Sequence, residues 1–157
     1  MADVIIRIAC EDDVPAMASI RARRWGMQEF WVDRIGGYLK GAYSPQQALA
    51  PRAAWVAVDG DTVMGFVAGH RTRRFNFDGE LEWVNVAEEY RGQGIADSLI
   101  DTMIDWFREQ KVLQVCVNVD PDNAPARHLY AKHGAEPLHD YWMLWTLTAS
   151  DPRAQMR

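Results

Sequence analysis

A change of hydrophobic period within the stretch from Glu80 to Gln110 limits what this chain can fold into more than any other feature. Leu81 to Val86 is apolar, rich in β-branched residues and preceded by Asp78-Gly79, the pattern of a buried strand. After Tyr90 the period changes. Ile95, Leu99, Met103 and Trp106, with Ile100, Ile104 and Phe107 beside them, recur at helical spacing, while Asp97, Asp101 and Asp105 occupy the opposite face. The stretch therefore reads as a strand, a tight turn and an amphipathic helix.

The turn itself, Arg91-Gly92-Gln93-Gly94-Ile95-Ala96, carries the chemical signal. Its glycines let the backbone bend where a Cβ would clash, and let a ligand approach the main chain. No Ser, Thr, Asp or Asn lies between Ala87 and Gln93, so the helix starts without a side-chain cap and its first N–H groups face outward. With the positive end of the helix dipole and Arg91 adjacent, the natural partner is a phosphate or pyrophosphate. On spacing alone, a glycine turn with hydrated amides is the competing reading. The dinucleotide fingerprint is excluded because Asp97 stands at the third glycine position, and the chain has no Gly-Lys-Ser/Thr phosphate loop.

Arg91, Gly94 and Ala96 form an Arg-x-x-Gly-x-Ala pattern after an apolar strand, which resembles the acyl-coenzyme A signature of the GNAT superfamily of acetyltransferases. Asn123 and Tyr130, in NAPARHLYAKHG, resemble that family's second hallmark. The likeness is strong from Glu80 to Gly134 and loose before Ala54. It implies an α/β fold with one mixed, mostly antiparallel sheet and helices on both faces. In that fold the central strand and the Val112 to Val119 strand start as parallel neighbours and splay apart, and the pantetheine arm enters the gap. The cosubstrate implied is acetyl-CoA, held by Val84, Asn85, Val86, Arg91, Gly92, Gln93, Gly94, Ile95, Ala96, Asn123 and Tyr130. By the same resemblance, a strand bulge aims the Val86 N–H at the thioester carbonyl as a single oxyanion donor.

The implied reaction moves an acetyl group to a primary amine by direct attack in a ternary complex. An amine of pKa about 10.4 is ammonium at neutral pH, so a base must take its proton. Strand alternation puts Glu80 and Glu82 on the face of Val84 and Val86; Glu82 is preferred as base because it is nearer the acyl site. Two glutamates on a partly exposed strand remain the competing reading for either. Another position that some relatives use for the base is Asn118 here, which is no base. Tyr130 is the family's acid toward the departing thiolate, or else a helix tyrosine packed on the sheet. Asn123 combines an N-cap with a cofactor contact. The alternative to an enzyme is a non-catalytic acyl-CoA sensor or interaction module on the same fold.

The remaining features bound this reading. At 157 residues the chain is expected to form a single domain over residues 1–148, with a flexible tail at 149–157. A net charge of -5, from 22 acids and 17 bases, argues against a nucleic-acid partner. No apolar run reaches membrane length and the N-terminus lacks a leader pattern, so a cytoplasmic protein is expected. Cys10 and Cys116 imply neither a disulfide framework nor a metal site, and His70, His128, His133 and His139 read as surface or helix-face residues. The acceptor is a small-molecule or peptide amine.

The other expected elements are a strand at Ile5 to Ala9, a helix from Glu11 to about Trp25 and a helix from Gln28 to Lys40. Ser44-Pro45-Gln46-Gln47 reads as a capping box opening a short turn or helix before Pro51. A hairpin turns at Asp59-Gly60-Asp61, and Arg71, Arg73 and Arg74 form a solvated basic tip after it or steer an acidic acceptor. Asn123 to His133 is a helix, and Leu138 to Leu147 a last strand whose exposed apolar residues would permit a homodimer. Trp25, Phe30, Trp31, Tyr38 and Tyr43 are either core or the lining of a substrate cleft.

Overall fold

The computed structural model describes residues 4–147; the tail expected at 149–157 lies outside the described residues. Strand β1 (Ile5–Ile8) leads into a short 3-10 turn and helix α1 (Val14–Ala22), followed by α2 (Gln28–Lys40). β2 (Ala48–Asp59), β3 (Thr62–Thr72) and β4 (Gly79–Val86) form an antiparallel meander. Then come α3 (Ile95–Glu109), β5 (Gln114–Asn118), α4 (Ala124–Lys132), β6 (Glu136–His139) and β7 (Trp142–Thr146). The seven strands make one sheet in the order β1-β2-β3-β4-β5-β7-β6, in which only β4 and β5 run parallel. This is the mixed, mostly antiparallel sheet that the sequence implies.

Two apolar clusters cover the two faces. Leu99, Ile100, Met103 and Phe107 of α3, with Tyr130 of α4, pack on Leu81, Val115, Val117 and Met143. Met17, Ala18, Ile35 and Tyr38 of α1 and α2 pack on Val56, Phe66, Ala68 and Trp83. The period of each helix thus found a sheet face to cover. Packing is close enough that β3 needs glycine opposite β4: a Cβ on Gly65 would lie 2.8 Å from the Asn85 carbonyl oxygen.

Three expectations change. α1 ends at Ala22 rather than near Trp25, because the last turn tightens, with the Arg24 N–H reaching only three residues back to the Arg21 carbonyl, and the chain reverses at Gly26, φ +89°. The Ser44 to Gln47 segment opens no helix. Arg52 donates to the Ser44 hydroxyl at 2.8 Å and to the Tyr43 carbonyl at 2.7 Å, so the cap is diverted and the chain enters β2 extended. Pro51 then sits at a register irregularity between Leu49 and Arg52, on a part of β2 that β1 does not reach. The last expected strand is in fact a hairpin, with β6 and β7 reversing at Asp140 and Tyr141. β7 therefore lies inside the sheet with Met143 and Trp145 buried, and offers no apolar edge for a second copy. β4 also carries a bulge, as the family resemblance implies. Ala68 pairs with Trp83 but Gly69 pairs with Leu81, which leaves Glu82 as the extra residue.

Candidate functional site

The parallel pair β4 and β5 is short. Its register ends at Leu81 and Val117, and beyond that point the strands part. Ala87 donates its N–H to Met64 of β3, so by alternation the main-chain groups of Val84 and Val86 face the opening. A cleft of about 1040 Å³ occupies the space, lined by Arg21, Glu80, Glu82, Val84, Val86, Arg91, Ala96, Asn118, Asn123 and Tyr130 among others. It is as large as the biggest ordinary small-molecule sites, which run to about 1,000 Å³.

At one end of the cleft lies the glycine turn. Gly92 and Gly94 both have φ of +80°, and a Cβ on either would meet nothing within 4 Å. Backbone conformation rather than crowding calls for glycine here, and the space above the turn is open. Gly94 is the N-cap of α3 and supplies no side-chain hydrogen bond, so the first amides of the helix remain available. Arg91 folds back with Nε 3.4 Å from the Val86 carbonyl. Ile95 is buried in the core, so only its amide can serve a ligand. Gln93 is an exposed turn residue. These groups fit a diphosphate, with Val84 and Val86 offering main-chain partners to an amide-bearing arm.

Asn85 departs from expectation. Its main chain is turned toward Phe66 of β3, and its side-chain oxygen accepts from Arg21 Nη1 at 2.8 Å. It serves the α1 side of the cleft. Asn123 caps α4, accepting from the Ala126 N–H at 3.2 Å. Tyr130 is buried edge-to-face on Trp145, ring centroids 5.5 Å apart, and is among the residues that line the cleft. Burial pushes its phenol up to about 12, so the proton stays on throughout the neutral range.

The bulge corrects the expected placement of the acids. Leu81 packs in the α3 cluster and Trp83 in the α1/α2 cluster, so side-chain parity switches at Glu82. Glu80 consequently faces α2 rather than sharing the face of Val84 and Val86. It is buried, with Oε1 accepting from Arg74 Nε and from the Thr72 hydroxyl, each at 3.1 Å. Arg74 is thus an ion-pair partner inside the site instead of a solvated hairpin tip. Burial works against the Glu80 charge, but His70 and Arg74 outweigh it and hold the carboxyl below its usual range. Glu82 goes the other way: burial raises it, His70 and Arg21 oppose, and the Glu80 charge adds to the rise.

His70 lies in the middle of this group and not on the surface. It is fully buried, and Tyr38 Oη is 2.9 Å from its Nδ1. Burial raises the Tyr38 phenol far above its usual value, so Tyr38 keeps its proton, and which atom donates in its bond to Nδ1 follows the ring tautomer. Nε2 has no hydrogen bond and stands 3.7 Å from Glu80 Oε1, too long for one, so Arg74 is the firmer partner of that carboxylate. The ligand atoms of His70, Glu80 and Glu82 lie within 4.8 Å of one another, types that suit a divalent ion. The Arg74 guanidinium already supplies a cation at Glu80, and the group is better described as a carboxylate network.

His133 is likewise not free. Its ring nitrogens meet Asp97 at 2.8 Å and Asp101 at 3.3 Å, which joins α4 to α3. Among the described residues Cys10 is exposed and Cys116 buried, with no bond between them. Arg21 and His70 are not expected as site residues, whereas Tyr38 is weighed as cleft lining and Arg74 as steering an acidic acceptor. Both missed residues carry a signal: Arg21 continues the buried stripe of Met17 and Ala18 at the next helical step, and His70 interrupts an otherwise apolar strand. Of the N-terminal aromatics, Tyr38 is core and Trp31 packs on Trp83, while Trp25 and Tyr43 line the cleft.

A splayed parallel pair beside an uncapped glycine turn leaves main-chain partners suited to an extended, phosphate-bearing amide chain. Residues 20–135 match the model of the acetyltransferase (GNAT) family, and the chain belongs to that family. N-alpha-acetyltransferase 30 of Schizosaccharomyces pombe is 28% identical over 86 residues, 54% of this chain and 57% of that protein; the chain spans about half that relative's length. Among solved structures, Ard1 from Thermoplasma volcanium superposes with a TM-score of 0.72 at 21% identity, covering 92% of this chain and 98% of that one. The GNAT family N-acetyltransferase YhbS from Escherichia coli, solved in complex with CoA, gives 0.71 at 21% identity, covering 94% and 83%. These structures share the fold.

Proposed function

We propose that the protein is an acetyl-CoA-dependent N-acetyltransferase that transfers the acetyl group directly to a primary amine. The observation that carries this reading is the junction of two independent features: main-chain groups of Val84 and Val86 turned into the β4/β5 opening, and the uncapped α3 amides behind Gly92 and Gly94. Bound acetyl-CoA supplies an activated thioester carbon. Gly92, Gly94, Ile95 and Ala96 would hold its diphosphate through main-chain amides, with Arg91 alongside. Val86 would donate its N–H to the carbonyl oxygen as charge develops there.

Glu82 is the base of choice. Its raised carboxyl is better matched than Glu80 to an ammonium proton at neutral pH, and Glu80 is already tied to Arg74 and Thr72. Glu82 takes one proton from the ammonium, nitrogen bonds to the acyl carbon, and the carbon–sulfur bond breaks. Tyr130 donates a hydrogen bond to the departing sulfur; since its phenol lies at about 12, full transfer to a thiolate of pKa about 8.5 is uphill, and stabilisation is its role. The second nitrogen proton ends on the thiol.

Calorimetry with acetyl-CoA and coenzyme A, followed by thiol release across a panel of amines, tests this. Saturable heat and amine-dependent release are expected. Binding without release by any amine would favour a non-turnover acyl-CoA sensor, and no heat at millimolar coenzyme A would remove both.

A further inference from the structure

We infer that the acceptor is a primary amine that also carries an oxyanion group, carboxylate or phosphate, and that Arg21 recognises that group. This rests on the acetyl-transfer reading above. The arginines around the cleft are unequal. Arg23 is bridged to Glu89 at 2.6 Å and Arg74 to Glu80, while Arg91 lies at the glycine turn. Arg21 makes no ion pair among the described residues. Its one hydrogen-bond partner is the neutral side-chain oxygen of Asn85, and its Nε is shut from solvent with no partner at all.

The guanidinium carbon lies 4.2 Å from the centroid of the Trp25 ring and 4.5 Å from that of Trp31. The rings favour the charge and pin the plane, which leaves the edge of the fork for directed hydrogen bonds. A planar fork held in this way matches the two oxygens of a carboxylate or phosphate. Burial draws the group down to about 10, still charged at neutral pH. A buried cation without an anion is costly, and an anion arriving with the substrate removes that cost.

Arg21 and Glu82 line the same cleft and influence each other's charge without touching. One molecule can therefore place its ammonium at Glu82 and its anion at Arg21. An amine that carries no anionic group satisfies only the first. An acceptor with positive charge at both ends meets repulsion at the second.

The test is a comparison of kcat/KM for glycine, β-alanine, 4-aminobutyrate and 2-aminoethyl phosphate against alkylamines of matching length that carry no anionic group, in wild type, Arg21→Gln and Arg21→Lys. Wild type should prefer the best anionic amine by about tenfold or more, the scale of one charge-assisted pair. Arg21→Gln should raise KM for that amine far more than it lowers kcat and bring the preference to about twofold, with Arg21→Lys between the two. Acetyl-CoA affinity by calorimetry reports whether each variant keeps its cofactor end. The favoured series distinguishes carboxylate from phosphate. Wild-type turnover of amines without an anionic group at equal or better kcat/KM overturns the inference and leaves acetyl transfer standing, as does an equal loss for every amine in Arg21→Gln. No thiol release from any amine overturns both.

Discussion

Glu82 and Glu80 show how two acids two positions apart acquire different characters from their contacts. Glu82 is the bulge residue, raised by burial; Glu80 is held low by His70 and Arg74 against its burial. If Glu82 must be ionised to act, activity falls as pH drops through its folded value, which lies above the ordinary ~4.3 of a glutamate. Glu82→Gln should lower kcat by about 100-fold and abolish the acid limb of the pH–rate profile. Glu80→Gln removes a negative neighbour and leaves Arg74 and His70 nearby, so Glu82 ionises more easily and the limb should move to lower pH. A limb that vanishes in Glu80→Gln and persists in Glu82→Gln would reverse the assignment. Tyr130→Phe is expected to reduce kcat by about 100-fold while changing acetyl-CoA affinity little, measured by steady-state kinetics beside calorimetry. Parallel losses in both would mean the ring packs on Trp145 and does no more.

At the scale of the element, the α3 entry is where geometry and binding coincide. Both glycines need positive φ, and neither is crowded. Gly94→Ala should therefore cost about 1–2 kcal/mol from the left-handed conformation alone. Because the same strain turns the first amides of α3, coenzyme A should bind roughly tenfold more weakly, a loss of ~1.4 kcal/mol read by calorimetry. Stability lost with affinity retained would show that the turn is structural only. The other end of the arrangement depends on α4, whose first turn is capped by Asn123 and whose end is tied to α3 by His133 between Asp97 and Asp101. Asp97, at the position where the dinucleotide fingerprint would have glycine, has a role in tertiary structure instead. His133 draws the Asp97 carboxyl below its usual range, with Lys132 assisting.

For the whole molecule, the edge of the sheet is fastened to the first helix by one buried carboxylate. Asp13 accepts from Arg7 at 2.8 and 2.9 Å and from the Cys10 N–H at 2.8 Å, and the Arg7 fork holds it below its usual range against the effect of burial. A lowered carboxyl contributes stability that is fully present above its unfolded pKa, about 3.9, and is lost as pH falls through the folded value. Asp13→Asn should cost about 2 kcal/mol near neutrality, and its Tm deficit against wild type should shrink below about pH 4. A deficit independent of pH would mean that the charge of Asp13 contributes nothing. What could be read from the chain alone follows the reach of each interaction. The period change after Tyr90, the uncapped glycine turn and the Asn123 cap are local, since a strand, a bend and a helix start are decided by neighbours in sequence. The same holds for the Gln28–Lys40 helix and the hairpin at Gly60. Where local chemistry had a distant competitor, the expectation failed: Arg52 took the hydroxyl of Ser44, and Arg74 turned from solvent to Glu80. The side-chain face of Glu80 could not come from alternation, because the bulge is a mismatch between β3 and β4 that neither strand contains by itself. Sequence, then, determined the elements, their order and the glycine bend that suits a diphosphate, all set by backbone preference and hydrophobic period. Only tertiary structure decided which acid is held low and which is raised, that His70 is buried between Tyr38 and Glu80, and that Arg21 stands in the cleft without an anion, because charge and desolvation depend on neighbours brought from far along the chain.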